Sequence, residues 1–477
     1  MRRVTDLWTS DEIVAATGGT LHGSAFKVSG VTFDSREVEH GWLFVAMPGT
    51  VAEGHDFVGK AFDAGAAAAL VSKPVEGPHI LVPDVPQALT GLAIEARRRM
   101  KGKVLGVTGS VGKTSTKEAL FAALDRYAKG RVHRSVKSYN NHTGVPLSLA
   151  RMPRDSEYAV LEMGMNAKGE IAALTRLVRP HVALVTMLAS AHIEHLGSME
   201  AIVDAKAEIF EGLEPGGTAI VPEDTAYRDR LVKAARKHAS RTITFGHGEA
   251  DVAALHAVRA DDGGSLVTAR LTESDLTYTI AQRGDHWVSN SLAVLAAVEA
   301  VGGDLAIAGL ALADMGGLKG RGERHRLAIS SEDGSGGTYL LIDESYNANP
   351  ASMAATLKAL GEEQGVERRI AVLGPMRELG EHAEDLHAGL APAVRDAKVD
   401  RLILVGDDMR PLEQALEGAV QIDRAAGVDE ATELVARLVR PGDAVLVKAS
   451  NSIGLAKLVE RMAGGLAMAT AGEGSRH

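Results

Sequence analysis

The chain has 477 residues, too many for a single hydrophobic core, so two to four domains are expected. Its net charge of −10 argues against non-specific binding to nucleic acid, although a local group of Lys and Arg could still bind a phosphorylated substrate. The absence of cysteine excludes disulfides and thiolate metal sites.

The N-terminal segment does not have the pattern of an export signal. Asp6, Asp11 and Glu12 interrupt its apolar residues, so it has no continuous apolar region of the kind a signal peptide needs. Elsewhere no uncharged apolar run approaches the roughly 18 residues that span a bilayer. We therefore expect a cytoplasmic protein without a transmembrane segment.

Short apolar runs typical of buried strands alternate with segments of helical periodicity along most of the chain. In chain order, strands are predicted at residues 31–33, 42–46, 104–107, 158–163, 182–187, 219–222, 242–245, 339–343, 370–373, 402–405 and 444–447. Helical periodicity is clearest at 115–124 and 291–301. Strands separated by helices indicate an α/β fold with mostly parallel sheets.

Two polar stretches divide this pattern. Residues 97–103 are basic and precede the first strong strand, and residues 330–337 form a low-complexity segment rich in Ser and Gly. They predict three domains at about 1–100, 101–328 and 329–466. The polar residues 467–477 are expected to be a disordered tail.

A strand, a Gly-containing turn and a helix start follow one another at residues 104–116. Gly109 and Gly112 allow consecutive backbone N–H groups to approach a phosphate, and the helix start adds its positive end. Lys113 would reach the β- and γ-phosphates, and Thr114 would coordinate Mg²⁺. The strict Walker pattern requires Gly where this chain has Val107, so the turn is a variant. It predicts ATP binding, but it does not distinguish an enzyme from a motor or a switch.

Three later residues remain open on local sequence alone. Glu162 ends a predicted strand, where it could hold Mg²⁺ or cap the following helix. His192 is two residues before Glu194, but the spacing around it fits no zinc-hydrolase motif, so it could be a metal ligand or an ordinary loop histidine. Lys206 lies on a predicted helix and would ordinarily be a solvated lysine.

Taken together, these motifs resemble the Mur ligases in order and approximate spacing. The resemblance is carried by the 108–114 turn, Glu162, His192, Lys206, the 290–297 helix and the 343–350 segment. Residues 140–146, 162–166, 205–210 and 343–350 are similar to the branch of the family that adds D-alanyl-D-alanine. Asp34-Ser-Arg and Gly54-His-Asp-Phe are similar to a UDP-sugar-binding domain. The implied architecture is a small α/β UDP-binding domain, a central P-loop ATPase domain and a C-terminal Rossmann-like domain.

The resemblance implies an ATP-dependent ligase of peptidoglycan synthesis. Such an enzyme joins D-alanyl-D-alanine to UDP-N-acetylmuramoyl-tripeptide through an acyl phosphate, giving ADP and phosphate. ATP, two Mg²⁺ ions and a carbamate on Lys206 are the implied cofactors, and a monomer is expected. The alternatives are a ligase that adds one amino acid to UDP-N-acetylmuramoyl-dipeptide, whose Asp-Asn-Pro-Arg motif is absent here, a P-loop switch or motor, and a non-catalytic UDP-sugar binder.

The resemblance also implies residue roles. The implied catalytic residues are Lys113, Lys206, His192 and Arg324, with Arg321 and Arg326 as alternatives for the γ-phosphate contact. The implied metal ligands are Thr114, Glu162, His192 and carbamylated Lys206. The implied ATP-binding residues are Thr108, Gly109, Ser110, Gly112, Lys113, Thr114, Ser115, Asn290, Arg324, Glu344, Tyr346, Asn347 and Asn349. The implied substrate-binding residues are Asp34, Ser35, Arg36, Gly54, His55, Asn140, Asn141, Asn166, Lys448 and Ser450.

Overall fold

The computed structural model describes residues 6–49, 53–189, 193–260, 263–330 and 336–465. Helices and mostly parallel sheets alternate throughout these ranges, so the predicted α/β class is confirmed. Within them, no helix has both the length and the apolar character needed to cross a membrane. The predicted tail at 467–477 and His192 lie outside the described residues.

The N-terminal region forms a small α/β unit. Its elements are β1 (Trp8–Thr9), α1 (Ser10–Thr17), β2 (Thr20–His22), β3 (Lys27–Val28), β4 (Gly30–Thr32), β5 (Trp42–Val45), α2 (Val58–Asp63), β6 (Ala68–Val71), β7 (His79–Leu81) and α3 (Val85–Arg99). One sheet has the order β2-β7-β6-β5-β4, with β4 to β7 parallel and β2 antiparallel. A capping box between Thr9 and Glu12 begins α1, and Asp84 caps α3.

The central region contains the longest sheet. Its elements are β8 (Lys103–Thr108), α4 (Lys113–Ala128), β9 (Val132–Arg134), α5 (Gly144–Ala150), β10 (Tyr158–Glu162), α6 (Glu170–Val178), β11 (Val182–Val185), α7 (Ile193–Leu196), α8 (Met199–Ala207), β12 (Thr218–Pro222), α9 (Arg228–Ala235), β13 (Arg241–Gly246), β14 (Val252–Arg259), β15 (Ser265–Arg270), β16 (Asp275–Ile280), α10 (Asp285–Ala300) and α11 (Leu305–Asp314). The strand order is β16-β15-β14-β13-β12-β11-β8-β10-β9. All the strands from β14 to β9 in this order, including β8, run parallel. The carboxyl ends of β8, β10 and β11 therefore meet at one edge, where open α/β sheets bind ligands.

The antiparallel strands β14, β15 and β16 extend this sheet and were not among the predicted strands. Their side chains alternate between buried and exposed positions or face solvent, as in β15, where Ser265, Val267 and Ala269 are buried and the side chains of Leu266 and Arg270 are exposed. The predictions relied on continuous apolar runs, which are typical of strands buried on both faces. A half-exposed antiparallel extension lacks that signal.

The C-terminal region has its own sheet. Its elements are β17 (Glu323–Ser330), β18 (Gly336–Glu344), α12 (Pro350–Gly361), β19 (Arg368–Leu373), α13 (Ala383–Ala388), α14 (Ala391–Asp396), β20 (Arg401–Val405), α15 (Arg410–Leu416), β21 (Gln421–Ala425), α16 (Val428–Leu438), β22 (Asp443–Lys448) and α17 (Ala456–Ala463). The order is β17-β18-β22-β19-β20-β21. In this sheet, as far as the structure describes it, β17 and β18 pair antiparallel and all the other neighbouring strands run parallel.

The third sheet begins earlier in the chain than the predicted domain boundary at 328/329, because β17 starts at Glu323 and pairs with β18. The polar stretch 330–337 therefore connects two paired strands instead of two domains. Ser- and Gly-rich sequence is typical both of interdomain linkers and of hairpin loops, so composition alone did not distinguish them.

Candidate functional site

A cavity of about 650 Å³ lies between the central sheet and the third sheet. The turn at residues 110–115 and Glu162 form its wall on the central side, and Arg321, Glu344 and Lys448 form its wall on the third-domain side. The cavity thus combines the carboxyl edge of one parallel sheet with charged groups of another domain.

The turn before α4 has the conformation that a phosphate-binding loop requires. Gly109 has a φ of 150°, and a Cβ there would lie 1.8 Å from Thr186 Oγ1, so a side chain is excluded. Gly112, with a φ of 87°, precedes α4, whose first turn has no side-chain cap. The exposed amides of that turn and the helix dipole favour an anion.

Lys113 bends back over this turn. Its ammonium donates to the Gly109 carbonyl at 2.7 Å and to the Ser110 carbonyl at 3.4 Å. Burial lowers the pKa of Lys113, and the nearby Glu162 carboxylate opposes that shift. Of the predicted ATP-binding residues in this turn, Ser110, Gly112, Lys113, Thr114 and Ser115 line the cavity, while Thr108 and Gly109 do not.

Glu162 ends β10 and is only 1% exposed. Its carboxylate accepts hydrogen bonds from Thr114 Oγ1 at 2.8 Å and from Asn140 Nδ2 at 2.8 Å. A hydroxyl and a carboxylate at this edge match the oxygen ligands of Mg²⁺. Among the described residues, no three His, Asp or Glu side chains converge as a metal-binding group. This donor set fits an ion held mainly by nucleotide phosphates, as Mg²⁺ usually is.

Lys206 lies near the end of α8 and is 1% exposed, in contrast to the solvated lysine that its local sequence suggested. Burial lowers its pKa well below 10.5, and repulsion from Lys113 lowers it further. Its amine is therefore biased towards the neutral, nucleophilic form. Lys206 does not line the cavity.

Asn290, on α10, lies directly against the phosphate turn, because a Cβ on Gly112 would be 3.0 Å from Asn290 Oδ1. Two further α10 residues in the cavity wall, His286 and Trp287, were missed by the sequence analysis. They precede Asn290 by four and three positions, which places all three on one helix face. That spacing was the available signal. Burial lowers the pKa of His286, so its ring is biased towards the neutral form.

Two of the three arginines considered for the γ-phosphate contact, Arg324 and Arg321, lie in different places. Arg324 pairs with Glu363 at 2.6 Å and lines a neighbouring cavity of about 360 Å³, not the larger one. Arg321 lines the larger cavity, and its guanidinium lies 4.2 Å from the centroid of the Tyr346 ring. The physical reason is local: β17 begins at Glu323, so Arg324 is fixed in the sheet, whereas Arg321 is on the preceding turn.

A buried carboxylate that was not predicted as a site residue holds this turn. Asp343 is 1% exposed and accepts from Gly320 N at 2.8 Å and from Ser345 Oγ at 2.6 Å. Gly320 has a φ of 72° and immediately precedes Arg321. Asp343 therefore holds the backbone from which the Arg321 side chain extends.

All but one of the other predicted third-domain residues lie in the cavity wall. Glu344, Tyr346, Asn347, Asn349 and Lys448 all line the cavity. Lys448 donates to the Asn347 carbonyl at 3.0 Å and lies 3.3 Å from Glu344, while burial lowers its pKa. Asn349 also caps α12 in a capping box with Ser352, which ties its side chain to the helix start.

Ser450 does not line the cavity. Its hydroxyl accepts from Arg377 N at 2.9 Å, so it holds the loop after β19. Asn140, Asn141 and Asn166 do line the cavity, opposite the third domain. Asn141 accepts from the N–H groups that begin α5, which makes its side chain partly a structural one.

The predicted residues of the first domain lie in a loop after β4 and in a short 3-10 helix before α2. Arg36 forms a two-point ion pair with Asp34 at 2.9 and 2.7 Å, and this pair lowers the pKa of Asp34 to about 2. Ser35, between them, is 9% exposed. The Arg36 side chain is 80% exposed and therefore accessible to a ligand.

Gly54 and His55 begin the 3-10 helix Gly54–Phe57. A Cβ on Gly54 would lie 2.3 Å from the Met47 carbonyl, so only glycine fits there. His55 accepts from Ser72 N at 3.1 Å through Nε2, and its Nδ1 lies 2.8 Å from Glu53 Oε1. Both ring nitrogens are thus engaged within the domain, which favours a structural role for this histidine.

Family models match three segments of the chain. They are described as the Mur ligase family catalytic domain (residues 27–97), the Mur ligase middle domain (107–298) and the Mur ligase glutamate ligase domain (325–451). The chain is 34% identical over 467 residues to the UDP-N-acetylmuramoyl-tripeptide–D-alanyl-D-alanine ligase of Bacillus subtilis strain 168, covering 95% of this chain and 97% of that protein. It is 33% identical to the Escherichia coli K12 protein of the same name, covering 95% and 98%.

Solved structures agree with these sequence matches. A crystal structure of MurF from Acinetobacter baumannii has a TM-score of 0.80 at 29% identity and covers 96% of this chain and 99% of its own. MurF ligase from Thermotoga maritima, in complex with ADP, has a TM-score of 0.74 at 27% identity and covers 91% and 97%. The predicted three-domain architecture is thereby confirmed, and the chain belongs to the Mur ligase family, within its group of UDP-N-acetylmuramoyl-tripeptide–D-alanyl-D-alanine ligases.

Proposed function

We propose that the chain uses ATP to join D-alanyl-D-alanine to UDP-N-acetylmuramoyl-tripeptide, forming the pentapeptide precursor of peptidoglycan, ADP and phosphate. The observation that carries this proposal is the cavity between the second and third domains. The Gly-containing turn before α4 and Glu162 lie on one side of it, opposite Lys448 of the third domain and Arg321 of the turn that leads into that domain. The relatives that match almost the whole chain have the same named activity.

The chemistry explains why both walls are needed. A carboxylate oxygen of the tripeptide attacks the γ-phosphorus of ATP, and the bond to ADP breaks, giving an acyl phosphate. The dipeptide amine then attacks the acyl carbon, an amide bond forms, and phosphate leaves with the original carboxylate oxygen. Both steps need the phosphate charge neutralised, the reactants aligned and water excluded.

On the central side, Lys113 and the amides at the start of α4 would bind the β- and γ-phosphates, for which Lys113 must leave the Gly109 carbonyl. Thr114 and Glu162 would hold Mg²⁺, which supplies charge neutralisation on the phosphates. We propose that a second ion uses His192 and carbamylated Lys206. The neutral bias of the buried Lys206 amine supports its reaction with CO₂. A carbamate carbon signal from ¹³C-bicarbonate in the wild type, absent in K206M, is the expected NMR result.

On the third-domain side, we assign the γ-phosphate contact to Arg321 instead of Arg324. Asn290, His286 and Tyr346 would surround the nucleoside, since all three line the same cavity. Lys448 and Glu344 would meet the incoming dipeptide, whose carboxylate and ammonium carry the opposite charges. The exposed Arg36 is the first-domain group that we assign to the UDP diphosphate.

The sheets support domain boundaries close to those predicted from sequence, with the third domain starting at about residue 323. We propose that the three domains act as a monomer in the cytoplasm, where ATP and nucleotide-linked precursors are available. No nucleic-acid partner is proposed.

Phosphate release from MgATP, combined with mass spectrometry of the product, tests the function. We expect release only when both UDP-N-acetylmuramoyl-tripeptide and D-alanyl-D-alanine are present, with a product heavier by one dipeptide. Release with UDP-N-acetylmuramoyl-dipeptide and a single amino acid would favour the tripeptide-forming activity instead. Release without any acceptor amine would indicate a simple ATPase.

A further inference from the structure

A second lysine of the phosphate-binding helix is completely buried. Lys117 lies one turn after Lys113 on α4 and is 0% exposed. Its ammonium lies 2.9 Å from Glu118 Oε1 and donates to the carbonyls of Lys137 at 2.5 Å and Ser135 at 3.5 Å. Three oxygen atoms therefore lie within 3.5 Å of an ammonium that has three N–H donors. Burying a charge is costly unless it is paired in this way, which makes the arrangement specific to a cation.

The two carbonyls belong to residues 135–140, a segment of irregular structure that follows the edge strand β9. Within it, Lys137 has a φ of 48°, a conformation that non-glycine residues adopt only at a cost. Lys117 offsets that cost by binding the carbonyl of the same residue. The ammonium therefore acts as a fixed point for a segment that regular secondary structure does not support.

The same segment contacts both groups assigned to Mg²⁺. Asn140 Nδ2 donates to Glu162 Oε1 at 2.8 Å, and Ser138 Oγ lies 3.4 Å from Thr114 Oγ1. Ser135 Oγ accepts from Glu162 N at 2.8 Å. Displacement of residues 135–140 would thus move the carboxylate and leave the Thr114 hydroxyl without one of its neighbours.

The segment also touches the first domain. Lys137 Nζ binds Glu37 Oε1, and the rings of Tyr139 and Phe33 are 5.4 Å apart. Glu37 follows Arg36, which we assign to the UDP diphosphate. One irregular segment therefore links the nucleotide-sugar domain to the metal side of the ATP site.

We propose that Lys117 is a positioning residue for the magnesium nucleotide. It holds residues 135–140 so that Asn140 and Ser138 orient the Glu162 carboxylate and the Thr114 hydroxyl. This inference rests on the proposed function, but its first test does not require turnover. If wild-type protein forms no pentapeptide, the proposed function fails; the role of Lys117 is decided separately by nucleotide binding.

The experiment is calorimetric binding of ADP to the full chain, with Mg²⁺ and with EDTA, in wild type and K117M. Met retains the unbranched apolar stem but removes the three donors. We expect the affinity of K117M for ADP in the presence of Mg²⁺ to be about tenfold lower than that of wild type, so that most of the gain from Mg²⁺ is lost. Its affinity for ADP in EDTA should stay close to wild type. Misplacement of reacting groups by about 1 Å costs about 100-fold in rate, so kcat should fall by that order with a smaller change in KM for ATP.

The matched control is K129M, at the exposed end of the same helix, which should bind MgADP as wild type does. A rescue variant is available because the chain has no cysteine. K117C, alkylated with bromoethylamine in denaturant and refolded, regains an ammonium at the same distance. It should recover the Mg²⁺ effect, whereas unalkylated K117C should not.

Wild-type dependence on Mg²⁺ in K117M would overturn the proposal. Equal losses with Mg²⁺ and with EDTA would also overturn it, because they would indicate general damage to the nucleotide site. If K117M does not fold, K117Q, which retains two N–H donors on a shorter side chain, takes its place with the same criteria.

Discussion

The two domain junctions of this protein are built in different ways. Between the first and central domains, one hydrophobic cluster is continuous, with Leu43 and Leu92 on one side and Leu147 and Ile171 on the other. Trp8, which is 0% exposed, donates from Nε1 to the Ala150 carbonyl at 2.8 Å across this junction. The first two domains therefore share a core.

The junction between the central and third domains is ionic and contains cavities. The third sheet has its own hydrophobic clusters on its two faces. Pairs such as Arg283 with Glu363 at 2.8 Å and Arg259 with Glu362 at 2.7 Å connect it to the central domain. Ionic contacts cost less to separate in water than an apolar core does. We therefore expect the junction that contains the cavity to separate more readily than the junction between the first two domains.

The largest effect is expected for the arginine that contacts the γ-phosphate. R321A should lower kcat by about 10³-fold, because an arginine at the γ-phosphate stabilises charge that develops during transfer. R324A is the matched control at the same junction, and it should change kcat less than tenfold while lowering stability. Steady-state kinetics on both variants decide the matter. A larger loss of kcat in R324A than in R321A would assign the γ-phosphate contact to Arg324 instead.

The next largest effect is expected on stability, in the core that the first two domains share. W8A should reduce the free energy of unfolding by about 3–5 kcal/mol, because it removes a fully buried aromatic side chain. Thermal and urea denaturation measure this change. At temperatures where W8A is folded, its kcat should stay close to wild type. A large loss of kcat without a loss of stability would contradict the view that this junction is a packing interface.

A smaller effect is expected from the ionic junction. E363Q leaves Arg283 and Arg324 without their shared carboxylate, which is 3% exposed. We expect a loss of about 1–2 kcal/mol, because the two guanidiniums lose a charged acceptor but are exposed enough to bind water in its place. Urea denaturation in low salt and in high salt is the measurement. Unchanged stability in E363Q would show that these pairs do not hold the third domain.

The smallest effect on stability concerns Arg36. Its side chain is 80% exposed, so water screens its pair with Asp34 and R36A should leave the free energy of unfolding almost unchanged. The pKa of Asp34 is lowered to about 2 by this pair, so the contribution is present above about pH 4 and is lost as the pH falls towards 2. The KM for the UDP substrate should rise instead. If R36A is strongly destabilised with an unchanged KM, the ligand role fails.

Some features followed directly from sequence because they depend on local pattern. Continuous apolar runs predicted most of the parallel strands, although β6, β7, β9 and β21 were missed, and the Gly109 and Gly112 spacing predicted the turn that precedes α4. Other features depend on contacts between distant segments and were not predictable in this way. The burial of Lys206 and of Lys117 is an example, because a lysine on a helix is ordinarily solvated.

The choice between Arg321 and Arg324 shows the same limit at closer range. Both lie within one short basic run, and only the start of β17 at Glu323 separates a turn residue from a sheet residue. Composition did not locate that start, because the Ser- and Gly-rich sequence after β17 resembles that of an interdomain linker. His286 and Trp287 were missed for a different reason: α10 begins at Asp285, whereas the clear helical periodicity begins at residue 291, after both of them.

The most direct test of the account follows an oxygen atom. UDP-N-acetylmuramoyl-tripeptide labelled with oxygen-18 in the carboxylate that accepts the dipeptide is incubated with MgATP, D-alanyl-D-alanine and the enzyme, and the released phosphate is analysed by mass spectrometry. If ATP phosphorylates that carboxylate in the cavity, each phosphate carries one labelled oxygen. Unlabelled phosphate accompanied by amide formation would contradict the acyl-phosphate route and the assignment of Lys113 and Arg321 to its γ-phosphate.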